Sequence, residues 1–392
     1  MTYSYKGDSI TTALVNAVLT RYTGAAGNAS AATGSTLSLV GYNVNNVSLA
    51  DGSGSSDSLT MSAGNDLFLL DDYIADSSAR PTVNGAGNLA QKESGKEINQ
   101  NRAIDVFYGA AGDDVISLVH EGSAPKDYSD VSVTIYGGAD NDVVWSSAGG
   151  DTLYGGAGND WLDGGLGNDR LFGDDGGAGD DLLAGGAGND TLFGGQGSDL
   201  LIGGDGNDTL VAGDGVDVAW GGQGNDTVQG EAGADFLYGG GESGNATNPG
   251  EVNTLQGGAG ADWYCVGRND GANTVNDVAG EGRVNHLVLY GRFASAGVDP
   301  FVAGSGVHDT SGPGTPLTAG YVLGSNATTD GVNLSIGGTT ATLSFASNGG
   351  SVTFNTGQVQ SITLWDNDLA GSGFTQEVYL WNGATYVFDQ YI

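Results

Sequence analysis

From Gly137 onward the chain repeats itself every nine residues, a period that leaves room for one short strand and one turn per unit. The first units read GGADNDVVW, SSAGGDTLY, GGAGNDWLD and GGLGNDRLF, and a three-residue insertion follows, Gly173-Asp174-Asp175. The pattern resumes at Gly176 with GGAGDDLLA, GGAGNDTLF, GGQGSDLLI, GGDGNDTLV, AGDGVDVAW, GGQGNDTVQ and GEAGADFLY, ending at Tyr238. A longer insertion rich in Gly and Asn runs to Gln256, and a twelfth unit, GGAGADWYC, ends at Cys265.

Two positions of the unit are each held to one chemistry. The sixth is Asp throughout: Asp142, Asp151, Asp160, Asp169, Asp181, Asp190, Asp199, Asp208, Asp217, Asp226, Asp235 and Asp262. The eighth is apolar throughout: Val144, Leu153, Leu162, Leu171, Leu183, Leu192, Leu201, Leu210, Ala219, Val228, Leu237 and Tyr264. Glycine, 73 of 392 residues, permits positive φ and close backbone approach in the turn. The last three residues of each unit then form a short strand whose middle side chain points inward.

The formal charge is −36, and 39 of the 47 acids are Asp. The shorter carboxylate suits tight turns, where it bonds the local backbone or a cation. Charge of this sign excludes nucleic acid and anionic membranes as partners, since both need Lys and Arg to meet phosphates. Between Gly137 and Asp262 there are 22 acids and one base, Arg170, so this segment does not stay compact without counter-ions. No stretch reaches 18 apolar residues, so no membrane span is expected, and Met1 to Tyr22 has no signal-peptide core. Cys265 is the only cysteine, which excludes an intrachain disulfide.

In its G-G-x-G-x-D-x-U-x units the chain resembles the repeats-in-toxin (RTX) family of calcium-binding proteins over Gly137 to Cys265. The resemblance implies an all-β fold: a parallel β-roll, or β-solenoid, in which two units make one coil and Ca²⁺ ions sit between turns of successive coils. It implies that the twelve aspartates of the sixth position supply carboxylate ligands, with turn carbonyls completing an all-oxygen shell. About one Ca²⁺ per repeat would nearly neutralise the acidic segment, making metal binding and folding one event. Two units depart at the turn. Asp140 replaces the fourth-position Gly ahead of Asp142, and Ser146-Ser147 opens the unit of Asp151.

Alternate units lie on opposite sheets, which sorts the outward residues. One face collects Val143, Trp145, Trp161, Asp163, Leu182, Ala184, Leu200, Ile202, Val218, Trp220, Phe236 and Tyr238. An apolar patch of that size is expected to be covered, by the chain's own flanks or by a neighbouring copy. The other face collects Thr152, Tyr154, Arg170, Phe172, Thr191, Phe193, Thr209, Val211, Thr227 and Gln229, and its threonine column reads as ordinary β-propensity.

Four regions are expected: an N-terminal amphipathic helix over residues 1–24; a β-rich region with degenerate repeats over 25–136; the roll and its closing strands over 137–290; and a C-terminal β-domain over 291–392. The helix rests on Ile10, Leu14, Val15, Val18, Leu19 and Tyr22. Faint copies of the repeat stand at Ala63 to Phe68 and Gly109 to Ile116, and Asn382-Gly383 marks a hairpin. The end, Asp389-Gln390-Tyr391-Ile392, is similar to uncleaved signals read by type I secretion machinery. No local catalytic motif is present. His120-Glu121 lacks the second histidine of H-E-x-x-H, and neither G-x-S-x-G nor G-K-[ST] occurs. His286, His308 and Cys265 read as structural. The expected function is that of a secreted calcium-binding structural protein of the bacterial surface or matrix, self-assembling through its apolar face. A glycan- or cell-binding adhesin with a surface polysaccharide as partner, and a lyase or epimerase on a β-solenoid, stand as alternatives.

Overall fold

The computed structural model describes residues 43–44, 48–51, 57–69, 104–118, 132–146, 148–240, 250–267, 270–277, 285–290, 321–322, 331–345, 350–365, 376–382, 384 and 386–391. The helix expected over residues 1–24 lies outside these. The described residues form two stacked sheets, of 14 and 15 strands, and no helix. The architecture is the β-roll that the repeats imply.

Each repeat contributes one strand, and successive repeats alternate between the sheets. Val143–Trp145, Trp161–Leu166, Leu182–Ala187, Leu200–Asp205, Val218–Gln223, Phe236–Gly240, Trp263–Gly267 and His286–Tyr290 line up in parallel in what we call the tryptophan sheet. Thr152–Ala157, Arg170–Asp174, Thr191–Gln196, Thr209–Gly215, Thr227–Gly233, Val252–Gly260 and Ala272–Val275 do so in the threonine sheet. Eighth-position side chains fall opposite one another, as in Leu162, Leu183 and Leu201, and meet those of the facing sheet in a fully buried core. Burial of each such leucine stabilises the roll by about 1.5–3 kcal/mol. The thinness of the roll depends on glycine. At Gly167, with φ of +137°, a Cβ would lie 1.5 Å from the carbonyl oxygen of Gly149 one coil below, so no other residue fits.

The roll extends beyond the regular repeats at both ends. Asp66–Leu69 and Val115–Ser117 prolong the tryptophan sheet upstream, and Ile104–Tyr108 and Thr134–Ala139 prolong the threonine sheet. Downstream, Ser351–Asn355 and Ser361–Trp365 pair in parallel with Ala272–Val275 and His286–Tyr290. Pairing then becomes antiparallel, through Gly331–Gly337 with Thr340–Phe345 on one sheet and Gln376–Trp381 with Tyr386–Tyr391 on the other. The last pair is the hairpin around Asn382-Gly383.

The outward faces sort as the alternation requires, and they differ. On the tryptophan sheet Val143, Trp161, Leu182, Ala184, Ile202, Tyr238 and Cys265 are buried, with Trp161 only 3% exposed. On the threonine sheet one outward column runs in register through Thr134, Thr152, Arg170, Thr191, Thr209, Thr227, Thr254, Thr274, Thr353 and Thr342. The column beside it stacks Tyr108, Tyr136, Tyr154, Phe172 and Phe193, with ring centroids 4.8–5.1 Å apart and planes within 9°. That spacing is set by the strands. Each stacked pair adds about 0.5–1.5 kcal/mol beyond its buried area.

Candidate metal centre

The sixth-position aspartates stand at the turns that open each strand, and they form two ladders along the two edges of the roll. On the edge before the tryptophan sheet, the backbone N–H of Asp142 donates to Oδ1 of Asp160 at 2.7 Å, and that of Asp160 to Oδ1 of Asp181 at 2.8 Å. Asp181, Asp199, Asp217, Asp235 and Asp262 continue in the same way. On the other edge the ladder climbs from Asp151 through Asp169, Asp190 and Asp208 to Asp226. One carboxylate oxygen of each residue therefore fixes the register of the coil below, a role that the sequence pattern alone did not distinguish from ligation.

The second oxygen is the chemically unfinished one. Oδ2 of Asp114, Asp142, Asp160, Asp169, Asp181, Asp190, Asp199, Asp208, Asp217, Asp226 and Asp235 is buried and accepts no hydrogen bond. Except for Asp217, each carboxylate faces a hollow made by a glycine at the head of its own turn and the next coil's backbone. A Cβ on Gly155 would lie 2.4 Å from Oδ2 of Asp160 and 2.7 Å from the carbonyl oxygen of Gly173. Gly109, Gly137, Gly164, Gly173, Gly185, Gly194, Gly203, Gly221 and Gly230 repeat this arrangement with their own aspartates. Oxygen donors converging on a space that no side chain fills suit a hard divalent cation. Among the described residues no three His, Cys, Asp or Glu side chains converge, because each hollow draws on one carboxylate per coil and on carbonyls.

Burial pushes these carboxyls far above the usual carboxylate range. Asp142 rises to about 9 and Asp114, Asp169, Asp181 and Asp208 to about 8, despite the lowering effect of the N–H each accepts, and neighbouring carboxylates add to the rise. The segment's one base does not offset this, since Arg170 lies on the outer face with its guanidinium 5.6 Å from the Phe172 ring centre.

Several positions differ from the repeat's expectation. Asp140 adopts φ of +78° in place of glycine, which Asp tolerates, and the hollow of Asp142 is intact. At Asp151 the Ser146 hydroxyl donates to Oδ2, the place that the other hollows leave open. At Asp262 the Tyr264 hydroxyl enters the hollow and accepts the N–H of Gly257 at 3.0 Å. Ala212 puts a methyl group where the unit of Asp217 would otherwise have glycine. The insertion after Phe172 also falls differently, because Gly173 rather than Gly176 faces Asp181.

The ladders extend past the aspartates that the repeat picks out. Asp66 and Asp114 continue one edge upstream. Downstream, Asn253 takes the N–H of Asp226, and Asn285 that of Asp262, so the hydrogen bonds go on while the charge stops. Of the other candidates, Cys265 is buried, which pushes its thiol up to about 12, while His286 is half-buried and bonded to Ser361. Both sit within packed strands of the tryptophan sheet, and His308 lies outside the described residues.

A search of curated proteins returned no match. The RTX calcium-binding nonapeptide repeat family matches residues 101–118, 132–153, 145–177, 175–210, 211–244 and 251–275, the coils that carry both ladders. Repeats of this type bind Ca²⁺, and the buried aspartate ladders fit that ion. Over residues 101–275 this chain thus carries calcium-binding nonapeptide repeats of the RTX type.

Proposed function

We propose that the chain is an exported protein of the bacterial surface or matrix whose roll folds around Ca²⁺ after export. The observation that carries this reading is the row of buried Oδ2 atoms without a partner, in a segment with a single base. Such a segment folds where calcium is abundant and stays extended where it is scarce, which suits passage through a narrow exporter. In this reading Asp114, Asp142, Asp160, Asp169, Asp181, Asp190, Asp199, Asp208, Asp226 and Asp235 ligate the ions, with carbonyls such as that of Gly173. Asp217 ligates weakly beside Ala212, Asp151 holds Ser146 instead, and the Tyr264 hydroxyl occupies the hollow of Asp262. Replacing Ser146→Gly should open one further site, read as one more Ca²⁺ per chain by native mass spectrometry. An unchanged count would remove Ser146 as the plug.

Export is supported by the repeats themselves. Co-expression with a type I exporter should place the chain in the medium. Retention of the unaltered chain would count against export. A glycan-binding role is the second reading, favoured by the half-exposed, nearly uncharged face of threonines and stacked rings between Tyr108 and Phe193. Saturable binding to a polysaccharide, without Ca²⁺-driven assembly, would decide for it.

A further inference from the structure

The residue before each ladder aspartate builds a second ladder, outside the first and opposite to it in direction. In the inner ladder an N–H of one coil donates to a carboxylate of the coil above. In the outer ladder the N–H of the later coil donates back to a side chain of the earlier one. On the edge before the threonine sheet the N–H groups of Asn189, Asn207, Asn225 and Val252 donate to Oδ1 of Asn168, Asn189, Asn207 and Asn225 at 2.7–2.8 Å. On the other edge the outer ladder runs from Asn65 through Asp113, Asn141, Asn159 and Asp180 to the N–H of Ser198. Past Ser198 the same position holds Val216, Ala234 and Ala261, whose side chains carry no acceptor.

We propose that this outer ladder positions the calcium hollows, holding successive coils in register before an ion arrives, without its side chains touching the ion. Each outer bond joins the two coils that form one hollow. The bond from Asn189 to Asn168, for example, spans the coils that supply Oδ2 of Asp169 and the carbonyl of Gly185. The amides of Asn168, Asn189, Asn207 and Asn225 face solvent, while Oδ2 of Asp169, Asp190, Asp208 and Asp226 is buried beside them. The inner bonds follow the outer ones. On the edge before the tryptophan sheet the N–H groups from Asp66 to Asp181 donate at 2.7–2.8 Å, each accompanied by an outer bond. Beyond the outer ladder's end the inner bond is still 2.8 Å at Asp199, then lengthens to 3.1 Å at Asp217 and 3.2 Å at Asp235. Coils already in register lose less freedom when an ion binds, so affinity and the coupling of neighbouring sites both rise. The proposal rests on the roll being folded by calcium, which the response of the unaltered chain tests by itself.

The test titrates full-length chains with Ca²⁺ from chelator, follows them by far-UV circular dichroism, and counts bound ions at saturation by native mass spectrometry. Asn189→Ala with Asn207→Ala should shift the folding equilibrium at a fixed Ca²⁺ level by about two- to tenfold per amide. This would be seen as a higher midpoint and a shallower transition with the ion count unchanged. The slope is the mark of positioning, since an amide that only stabilised its own turn would move a transition of the same steepness. Ser198→Asn with Val216→Asn, at exposed positions, should extend the ladder and lower the midpoint. Ser198→Gln with Val216→Gln, equally polar but one methylene too long, should not. If the alanine chain fails to fold at every Ca²⁺ level, the Asn and Gln pairs decide alone. Three results would overturn the proposal: an ion lost from the alanine chain, which would make the amides ligands; a transition as steep as that of the unaltered chain; or an Asn pair that folds at no lower Ca²⁺ than the Gln pair.

Discussion

In chelator at neutral pH the chain is expected to lack the roll, and millimolar Ca²⁺ should restore it in one steep transition. The reason is electrostatic. Among the described residues the Oδ2 atoms of eleven ladder carboxylates, Asp114 to Asp235, lack a hydrogen-bond donor, and removing a charge from water without a partner costs several kcal/mol each. A domain's whole net stability is about 5–15 kcal/mol, so the metal-free ladders exceed what the leucine core offsets. Because each hollow is built from two consecutive coils, an ion at one position orders half of the next, and binding should be cooperative. Far-UV circular dichroism and sedimentation velocity on the same samples would show an extended coil turning into a compact β-rich particle. A full β spectrum in chelator at pH 7.5 would remove the basis for the calcium assignment.

Acid should do part of what calcium does. Asp114, Asp142, Asp160, Asp169, Asp181, Asp190, Asp199, Asp208, Asp217, Asp226 and Asp235 rise from the usual 3.8 to between about 6 and about 9 in the fold, chiefly through burial. The folded chain therefore holds protons that the unfolded chain releases between about pH 4 and about pH 9. For such groups the contribution to metal-free stability is complete below pH 4 and is lost as the pH rises through the folded values. In chelator, acidification from pH 8 toward pH 5 should recover β structure, while in Ca²⁺ the same change should weaken ion binding by competition. Circular dichroism against pH in both buffers tests the pair. A metal-free chain that remains coil throughout would mean that the carboxyls are not buried as described.

The repeat's register was legible because one residue type returns at one position. Asp at six and an apolar residue at eight fix strand, core and edge, and the alternation of units correctly sorts Trp161 and Thr191 onto opposite faces. Departures such as Ser146 and Ala212 were also visible as letters, although their effect depends on where the hollow lies. What sequence could not show was contact across irregular spacing. Asn253 and Asn285 lie 27 and 23 residues beyond the donors they serve, and they differ from the repeat's Asp, so nothing local marks them as rungs. The Tyr264 hydroxyl reads as a core residue until packing turns it toward Gly257. The pairing of Thr274 with Thr353 is a long-range choice that no periodic pattern encodes.

The hook between an Asp carboxylate and the N–H one coil below has a consequence for how such a chain can change over time. It is satisfied at separations of 18, 21, 27 and 28 residues, so the roll registers on its hooks and not on the number of residues between them. Extra sequence can therefore enter at a turn, as it has after Phe172 and after Tyr238, while the strands above and below keep their partners. Each turn is a socket where new segments can be tried at little risk to the scaffold, and whole coils can be gained or lost by duplication. The neutral rungs Asn253 and Asn285 let the stack end without carrying its charge into the next segment.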